Sequence, residues 1–188
     1  MGGGCAMKKI SNRLLGILVL AAVTIWLSVV ILSAPVYEPL QLSKAAEQVL
    51  LQKEMTAQEQ EWKSSYEPER TMVSGTEVLL RYPAENQIYY VLGIPGQENH
   101  ENFCDFYVLE LSKRKGDYQF EKEGALYTVK EGEGGKISVI TPGHKELYFA
   151  WGYGKPGASP MVAGKAIPVS ELGQYAYVTE DPDLWAEP

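Results

Sequence analysis

Three side chains have the types that could form a nucleophile or a metal site: His100, Cys104 and His144. A thiol beside an imidazole can act as a nucleophile, and one thiolate with two imidazoles could bind zinc. His100 lies in a polar stretch predicted as a loop, where a spacing of four does not align its side chain with Cys104. Cys104 opens an apolar strand, where a free cysteine packs as a small hydrophobic residue. We therefore predict no catalytic residue, no metal ligand and no cofactor.

Two further groups of residues could contact a partner. Lys113, Arg114 and Lys115 are the only clustered cations in the C-terminal part of the chain, and the turn signal that follows them predicts a hairpin tip. Trp151 and Tyr153 end a predicted strand. Aromatic residues there usually pack in a core, although a chain with twelve Tyr and four Trp could also line a peptide or glycan groove. These five residues form the candidate binding surface.

The charge of the chain is unevenly distributed. Lys and Arg number 17 against 24 Asp and Glu, for a net charge of −7, which excludes a basic nucleic-acid binder. Lys8, Lys9 and Arg13 are the only charged residues before Glu38, so the first 37 residues carry +3 and the rest carries −10. An outer part this acidic disfavours binding to anionic polymers or lipid headgroups.

A run of twenty residues without an ionisable side chain, from Leu14 through Trp26 to Ser33, predicts a membrane span. As a helix it would be about 30 Å long, the thickness of the hydrocarbon core of a bilayer. The three cations precede the run, so the positive-inside rule puts the N-terminus in the cytoplasm and the chain after Tyr37 outside. We expect a cytoplasmic N-terminus over residues 1–13 and a transmembrane signal anchor over 14–36, in contact with the lipid bilayer through residues 14–33.

A cleavable signal peptide is the alternative to an anchor. Signal peptides have apolar cores of roughly 7–15 residues and a cleavage site of small residues. Here Leu32 occupies a position that should be small, and Pro35 would follow the cleaved bond after Ala34. We therefore predict a single-pass protein of the cell membrane, with secretion after cleavage as the alternative.

Residues 37–69 contain a predicted juxtamembrane stalk helix. From Leu40 to Ser65 the chain has neither Gly nor Pro, and apolar residues recur at helical spacing. The apolar stripe is too short to assign a coiled coil. Packing of the helix on the outer domain and dimerisation through it both stay open.

Residues 70–188 predict an exported, mainly antiparallel β domain, either a sandwich or a small barrel. Short apolar runs alternate with turn signals, and no helical pattern separates them. In one run Tyr107, Leu109 and Leu111 share a face, and in another Leu147, Phe149 and Trp151 do so. The predicted strands are residues 76–82, 87–94, 103–112, 118–122, 125–130, 136–140, 146–153, 161–169 and 175–178.

The order of these parts resembles that of small uncharacterised membrane-anchored proteins of Gram-positive bacteria. The likeness covers the start Met7-Lys8-Lys9, the single apolar span, the helix and a β domain in which a strand ends in Ala150-Trp151-Gly152-Tyr153. It implies a location at the membrane and transfers no catalytic residue.

These observations predict a membrane-anchored extracytoplasmic interaction module that binds a protein or another envelope partner. Two alternatives stay open. One is an envelope enzyme, a hydrolase or a metal-dependent enzyme, that uses His100, Cys104 and His144. The other is a structural accessory subunit that acts through its transmembrane span.

Overall fold

The computed structural model describes residues 12–33, 36–65, 69–155, 157 and 160–184, and the chain divides into two compact units, Met1–Val36 and Tyr37–Pro188. In the first unit helix α1 covers Asn12–Ser33. Side chains are described for residues 16–29 of this helix, and all of them are exposed. Of the residues named for the predicted span, Trp26 belongs to this set, whereas the side chains of Leu14 and Ser33 lie outside it. Residues 1–11 and 34–35, which include most of the predicted cytoplasmic segment and Ala34 and Pro35 of the possible cleavage site, also lie outside. Within the described residues, no helix has both the length and the apolar character needed to cross a membrane.

The second unit contains one helix and ten strands among its described residues, and all the strand pairs are antiparallel. The prediction of a mainly antiparallel β domain is therefore confirmed. The elements are α2 (Lys44–Ser65), β1 (Arg70–Met72), β2 (Glu77–Ala84), β3 (Gln87–Glu98), β4 (Glu101–Arg114), β5 (Asp117–Lys130), β6 (Glu133–Ile140), β7 (Glu146–Tyr153), β8 (Met161–Val162), β9 (Lys165–Ala166) and β10 (Gln174–Thr179).

The strands form two main sheets and a small hairpin. In the first sheet β4 pairs with one side of β3 along its whole length, β1 and β2 share the other side, and β5 continues beyond β4. The second sheet has the order β10-β7-β6, and β8 and β9 form the hairpin. Two-residue turns at Asn99-His100 and Lys115-Gly116 connect β3, β4 and β5, and all four residues have positive φ. Such turns match the twist of the strands they join, which lets long strands pair from end to end.

The alternation of side chains along β4 separates two apolar layers. Cys104, Phe106 and Val108 point between the two sheets, where they pack with Phe149 and Trp151 of β7. Tyr107, Leu109 and Leu111 point to the other side of the first sheet, where α2 covers them. The predicted faces of β4 and β7 are thus both found. Packing of the helix on the domain is observed, through Leu51, Met55 and Trp62, whereas Val49 of the predicted stripe is exposed.

The strands differ from the predicted ones at three places. The predicted strands 118–122 and 125–130 are one strand, β5, because a bulge around Gly124, with φ of 81°, lets pairing with β4 continue. The predicted strand 161–169 is the β8–β9 hairpin, because Ala163 and Gly164 have positive φ and make a turn. Strand β1 was not predicted; its three residues continue the edge that β2 occupies.

The N-terminal half of α2 is held to the first sheet by a buried carboxylate, that of Glu47. Arg81 of β2 donates two hydrogen bonds to it, at 2.6 and 2.9 Å, and the Tyr90 hydroxyl of β3 donates a third at 2.5 Å. The hydrogen bond from Arg81 holds the pKa of Glu47 below its ordinary value of 4.5. Because a carboxylate with a lowered pKa stabilises the fold while it is ionised, this contribution is lost as the pH falls through that pKa.

We expect the substitution Glu47→Gln to lower the free energy of unfolding by about 2 kcal/mol at pH 7, since it removes the charge from a buried, hydrogen-bonded pair. The difference from wild type should stay constant above pH 4.5 and shrink below it. Thermal unfolding of the full chain, followed by tryptophan fluorescence at several pH values, measures this difference. Glu171→Gln in the exposed β9–β10 connection is the matched control, and a pH-independent difference for Glu47→Gln would contradict the assignment.

Candidate binding groove

The C-terminal half of α2 is attached to the first sheet by Trp62, which is almost fully buried. Its indole Nε1 donates a hydrogen bond of 2.7 Å to Oδ2 of Asp105, and its ring stacks on Phe103 of β4 with centroids 6.4 Å apart. Asp105 follows Cys104 in β4, so the alternation of the strand turns its carboxylate to the side that α2 covers. A tryptophan at the end of an amphipathic helix thus meets an acidic residue inside an apolar strand.

The Asp105 carboxylate has no exposed surface, so its charge depends on protein partners. Besides Trp62, the Thr128 hydroxyl of β5 donates a hydrogen bond to it, and the Nη1 atom of Arg70 lies 4.0 Å away. Arg70 is itself positioned by Glu98, at 2.9 Å, and by the Phe103 ring, 4.6 Å below its guanidinium. Residues from α2, β1, β4 and β5 therefore meet around one buried carboxylate.

Beside Trp62, between α2 and β5, lies a cavity of about 150 Å³ that we term the Trp62 groove. Its apolar wall consists of Trp62, Ile94, Tyr107 and Leu126, and its rim of Gln58, Glu61, Ser65 and Lys122. On the rim, Lys122 Nζ and Glu61 Oε2 form an ion pair at 2.9 Å, with 41% and 60% of the side chains exposed. An ion pair so exposed contributes little to stability, so a partner can displace it at small cost.

Tyr107 contributes its aromatic ring to this wall. The residue is 2% exposed. Burial raises the pKa of Tyr107, so the hydroxyl stays protonated at physiological pH. The neutral ring completes an apolar wall between the helix and the sheet.

The size of the Trp62 groove restricts what it can hold. Pockets for drug-sized ligands and cofactors usually measure about 300–1,000 Å³, whereas a cavity of about 150 Å³ holds a molecule such as benzene. The groove is therefore suited to one apolar side chain, such as Leu or Phe, presented by a larger partner. Its polar rim could bond the backbone on either side of that residue.

A second apolar groove, of about 630 Å³, lies on the other flank of α2, toward β2; we term it the Val49 groove. Val49 and Val78 are 69% and 42% exposed there. The helix is narrower than the sheet, so apolar surface stays uncovered on both of its sides. The lining residues are Ala45, Gln48, Val49, Leu51, Gln52, Met55 and Val78.

A third cavity, of about 240 Å³, lies near the β3–β4 turn and is polar. Its charged groups are already paired, Arg70 with Glu98 at 2.9 Å and Lys130 with Glu101 at 2.6 Å. Because these groups form pairs of opposite charge, the cavity does not favour either an anionic or a cationic ligand. This cavity is a weaker candidate than the two grooves beside α2.

The structure does not gather His100, Cys104 and His144. His100 lies in the β3–β4 turn, His144 lies in the β6–β7 turn, and Cys104 is fully buried between the sheets. Burial raises the pKa of the Cys104 thiol, which opposes formation of the thiolate needed for a nucleophile or a zinc ligand. Across the described residues, no group of three or more His, Cys, Asp and Glu side chains is placed to hold a metal ion.

The predicted basic cluster is largely neutralised by residues of the same domain. Lys113 pairs with Glu38 at 3.0 Å, and Arg114 pairs with Glu110 at 3.0 Å and Glu121 at 2.7 Å. Lys115 lies exposed in the turn. Two of the three cations therefore already have anionic partners, which weakens the cluster as a contact for an anionic ligand.

The two predicted aromatic contacts are core residues. Trp151 is 2% and Tyr153 7% exposed, and the Trp151 ring stacks on Phe106 with centroids 6.0 Å apart. Neither side chain presents a surface to a partner in this structure, because strand alternation turns both between the sheets.

Sequence reasoning had missed the Trp62–Asp105 contact. An acidic residue within an apolar strand was the signal for it, since a buried charge requires a partner from elsewhere in the fold.

Comparisons of the chain with protein-family models, with curated proteins and with solved structures found no match. The geometry of the described residues is therefore the basis for assigning a function.

We expect Trp62→Phe to lower the free energy of unfolding by about 1–3 kcal/mol, because it keeps a ring against Phe103 but leaves the Asp105 carboxylate without one of its donors. Thermal unfolding of the full chain measures the loss. In the Asp105→Asn background the same substitution should cost clearly less, since no charge is left unpaired. Equal losses in the two backgrounds would show that Trp62 acts through packing alone.

Proposed function

We propose that this protein is a membrane-anchored, extracytoplasmic binding module that takes one apolar side chain of a partner protein into the Trp62 groove. The observation that carries the proposal is the combination of a small apolar cavity with a displaceable polar rim. Protein interfaces obtain most of their affinity from a few large side chains buried in such pockets, surrounded by polar contacts that exclude water.

The Val49 groove supports the same assignment. It adds exposed apolar surface on the opposite flank of α2, so a partner that contacts the helix could bury both grooves. Because residues 38–188 carry a net charge of −10, we expect the partner to be neutral or basic where it contacts the domain.

The anchoring part of the proposal rests on the sequence of residues 14–33, since no helix within the described residues has both the length and the apolar character to cross a membrane. The twenty residues 14–33 contain no ionisable side chain, and residues 16–29 are all exposed, including Leu20 and Trp26. Apolar side chains that surround a helix on every side need a cover other than water, and lipid provides it. The cations Lys8, Lys9 and Arg13 favour a cytoplasmic N-terminus, which places the β domain outside the cell.

We expect the protein to remain in the membrane pellet after alkaline carbonate extraction of cells, and to be released only by detergent. The mass of the N-terminal peptide distinguishes the alternatives, because an intact chain indicates an anchor and loss of the first 33 or 34 residues indicates a cleaved signal peptide. A full-length chain in the soluble fraction would contradict the anchor.

The binding site is tested by photo-crosslinking in intact cells. A photoreactive benzoylphenylalanine at Gln58, on the rim of the Trp62 groove, should capture a discrete protein. The substitution Leu126→Trp, which fills the groove, should reduce the yield at least about tenfold, the effect of losing a contact worth about 1.4 kcal/mol or more.

The matched control for this test is Ile140→Trp on β6, because Ile140 is also an exposed apolar residue but belongs to the second sheet. It should leave the yield unchanged. Two results would contradict the site: no reproducible adduct from position 58, or equal yields with and without Leu126→Trp.

A further inference from the structure

One end of the first sheet carries a cluster of ionisable side chains centred on Arg114. This residue of β4 donates hydrogen bonds to Glu110 at 3.0 Å, to Glu121 of β5 at 2.7 Å and to the Tyr37 hydroxyl at 3.0 Å. The Tyr37 ring lies 4.6 Å from the guanidinium. With Glu123 of β5 and Tyr89 of β3, these residues form what we term the Arg114 cluster.

The cluster contains more negative charge than Arg114 can neutralise. Glu110 is 3% exposed and lies directly opposite Glu121 in the β4–β5 register, and Glu123 follows on the same face of β5. Like charges opposite each other on paired strands are destabilising. The cations of the neighbouring positions are committed elsewhere, since Lys113 pairs with Glu38 and Lys122 pairs with Glu61.

The phenol of Tyr89 on β3 hydrogen-bonds to Glu110, but a neutral group does not offset the excess negative charge. Ser112 lies on the same face of β4 between Glu110 and Arg114; it is fully buried, and its hydroxyl has no hydrogen-bond partner in the described part of the chain. The simplest way to reduce the repulsion is for one carboxyl to take up a proton, which then lies between two carboxyl groups.

The environment of Glu123 identifies that carboxyl. Burial, and next the charge of Glu110, raise the pKa of Glu123 to about 6, against the smaller opposing effect of Arg114. The phenols of the cluster stay protonated in the physiological range, because burial raises the pKa values of both Tyr37 and Tyr89.

The Arg114 cluster also holds the segment that enters the domain. Next to Tyr37, the backbone N–H of Glu38 donates to the Lys113 carbonyl at 2.9 Å, and the Glu38 carboxylate accepts from the Gly116 N–H at 2.8 Å. The Tyr118 hydroxyl donates to the Gln41 carbonyl at 2.9 Å. Residues 37–42, which we term the strap, are thereby tied to the β4–β5 hairpin.

We propose that the Arg114 cluster is a proton-operated clasp, which holds the strap against the first sheet while one of its carboxyl groups is protonated and loosens the strap when that group ionises. The direction follows from linkage. Tyr37 of the strap lies close enough to Glu123 for their charges to interact, so release of the strap exposes Glu123 to water and lets its pKa fall toward 4.5. Protonation of Glu123 therefore stabilises the closed state at low pH, and this stabilisation is lost as the pH rises through about 6.

Hydrogen exchange of the full chain in detergent micelles between pH 5 and 8 tests the clasp. After correction for the intrinsic pH dependence of exchange, the amides of Glu38 and Gly116, whose hydrogen bonds join the strap to the hairpin, should exchange roughly tenfold faster at pH 7.5 than at pH 5, the effect of about one pKa unit. Glu123→Gln should keep the strap protected throughout this range. Glu171→Gln, the matched control, should behave as wild type.

Several controls keep the result specific. Glu38 does not titrate in this range, because its hydrogen bond with Lys113 lowers its pKa. Amides of β3 report in the same experiment whether each variant is folded. Glu121→Gln serves if Glu123→Gln does not fold, and it should move the midpoint to lower pH, because one negative neighbour is lost. Strap exchange that does not depend on pH in wild type, or that keeps its pH dependence in Glu123→Gln, would overturn the proposal.

Discussion

The buried charge of Asp105 is the constraint on which the arrangement of the outer layer depends. A carboxylate without solvent contact must be compensated, and here Trp62 of α2 and Thr128 of β5 donate hydrogen bonds to it while Arg70 of β1 places positive charge 4.0 Å away. Removing any one of these groups weakens the compensation of a buried charge, so the position of the helix end is strongly specified. The shape of the Trp62 groove depends on that position, because Trp62 forms one wall of the groove.

Glu47 has the same role at the other end of the helix, where it is bonded to Arg81 and Tyr90. Buried ion pairs often add little net stability, because desolvation offsets the attraction between the charges. Here they fix the position of the helix. Glu47 near one end of α2, and Asp105 of β4 bonded to Trp62 near the other end, determine where the helix axis lies on the sheet. A purely apolar contact would tolerate sliding of the helix, whereas two hydrogen-bonded clamps do not. The α2 walls of both flanking grooves are therefore held in place by hydrogen bonds to the sheet.

Much of the domain could be predicted from the sequence because alternate residues of strands such as β4 and β7 face opposite sides of a sheet. The faces of β4 and β7 were identified from residues such as Leu109 and Phe149, and the β domain and its antiparallel pairing followed from turn signals. The candidate site could not be predicted, because it depends on pairings between distant parts of the chain. Trp62 and Asp105 are 43 residues apart, and Arg114 and Tyr37 are 77 apart. No local pattern indicates which cation an acidic residue will meet. The basic cluster at 113–115 was for this reason interpreted as exposed charge, although two of its members pair with acidic residues.

The two sides of the first sheet differ in what they can offer a partner. Between the sheets, Phe106, Trp151 and Cys104 are packed against one another, and even the Cβ that a side chain would add at Gly93 would lie 3.2 Å from the Cys104 Sγ atom. A thiol in this position behaves as a core side chain. The opposite face is covered by a single helix that is narrower than the sheet, so its apolar surface continues beyond the helix on both flanks. The candidate binding surface of this domain therefore lies on the α2 side of the sheet, where the groove walls are apolar, the rim is charged and the covering helix is hydrogen-bonded to the sheet near both of its ends.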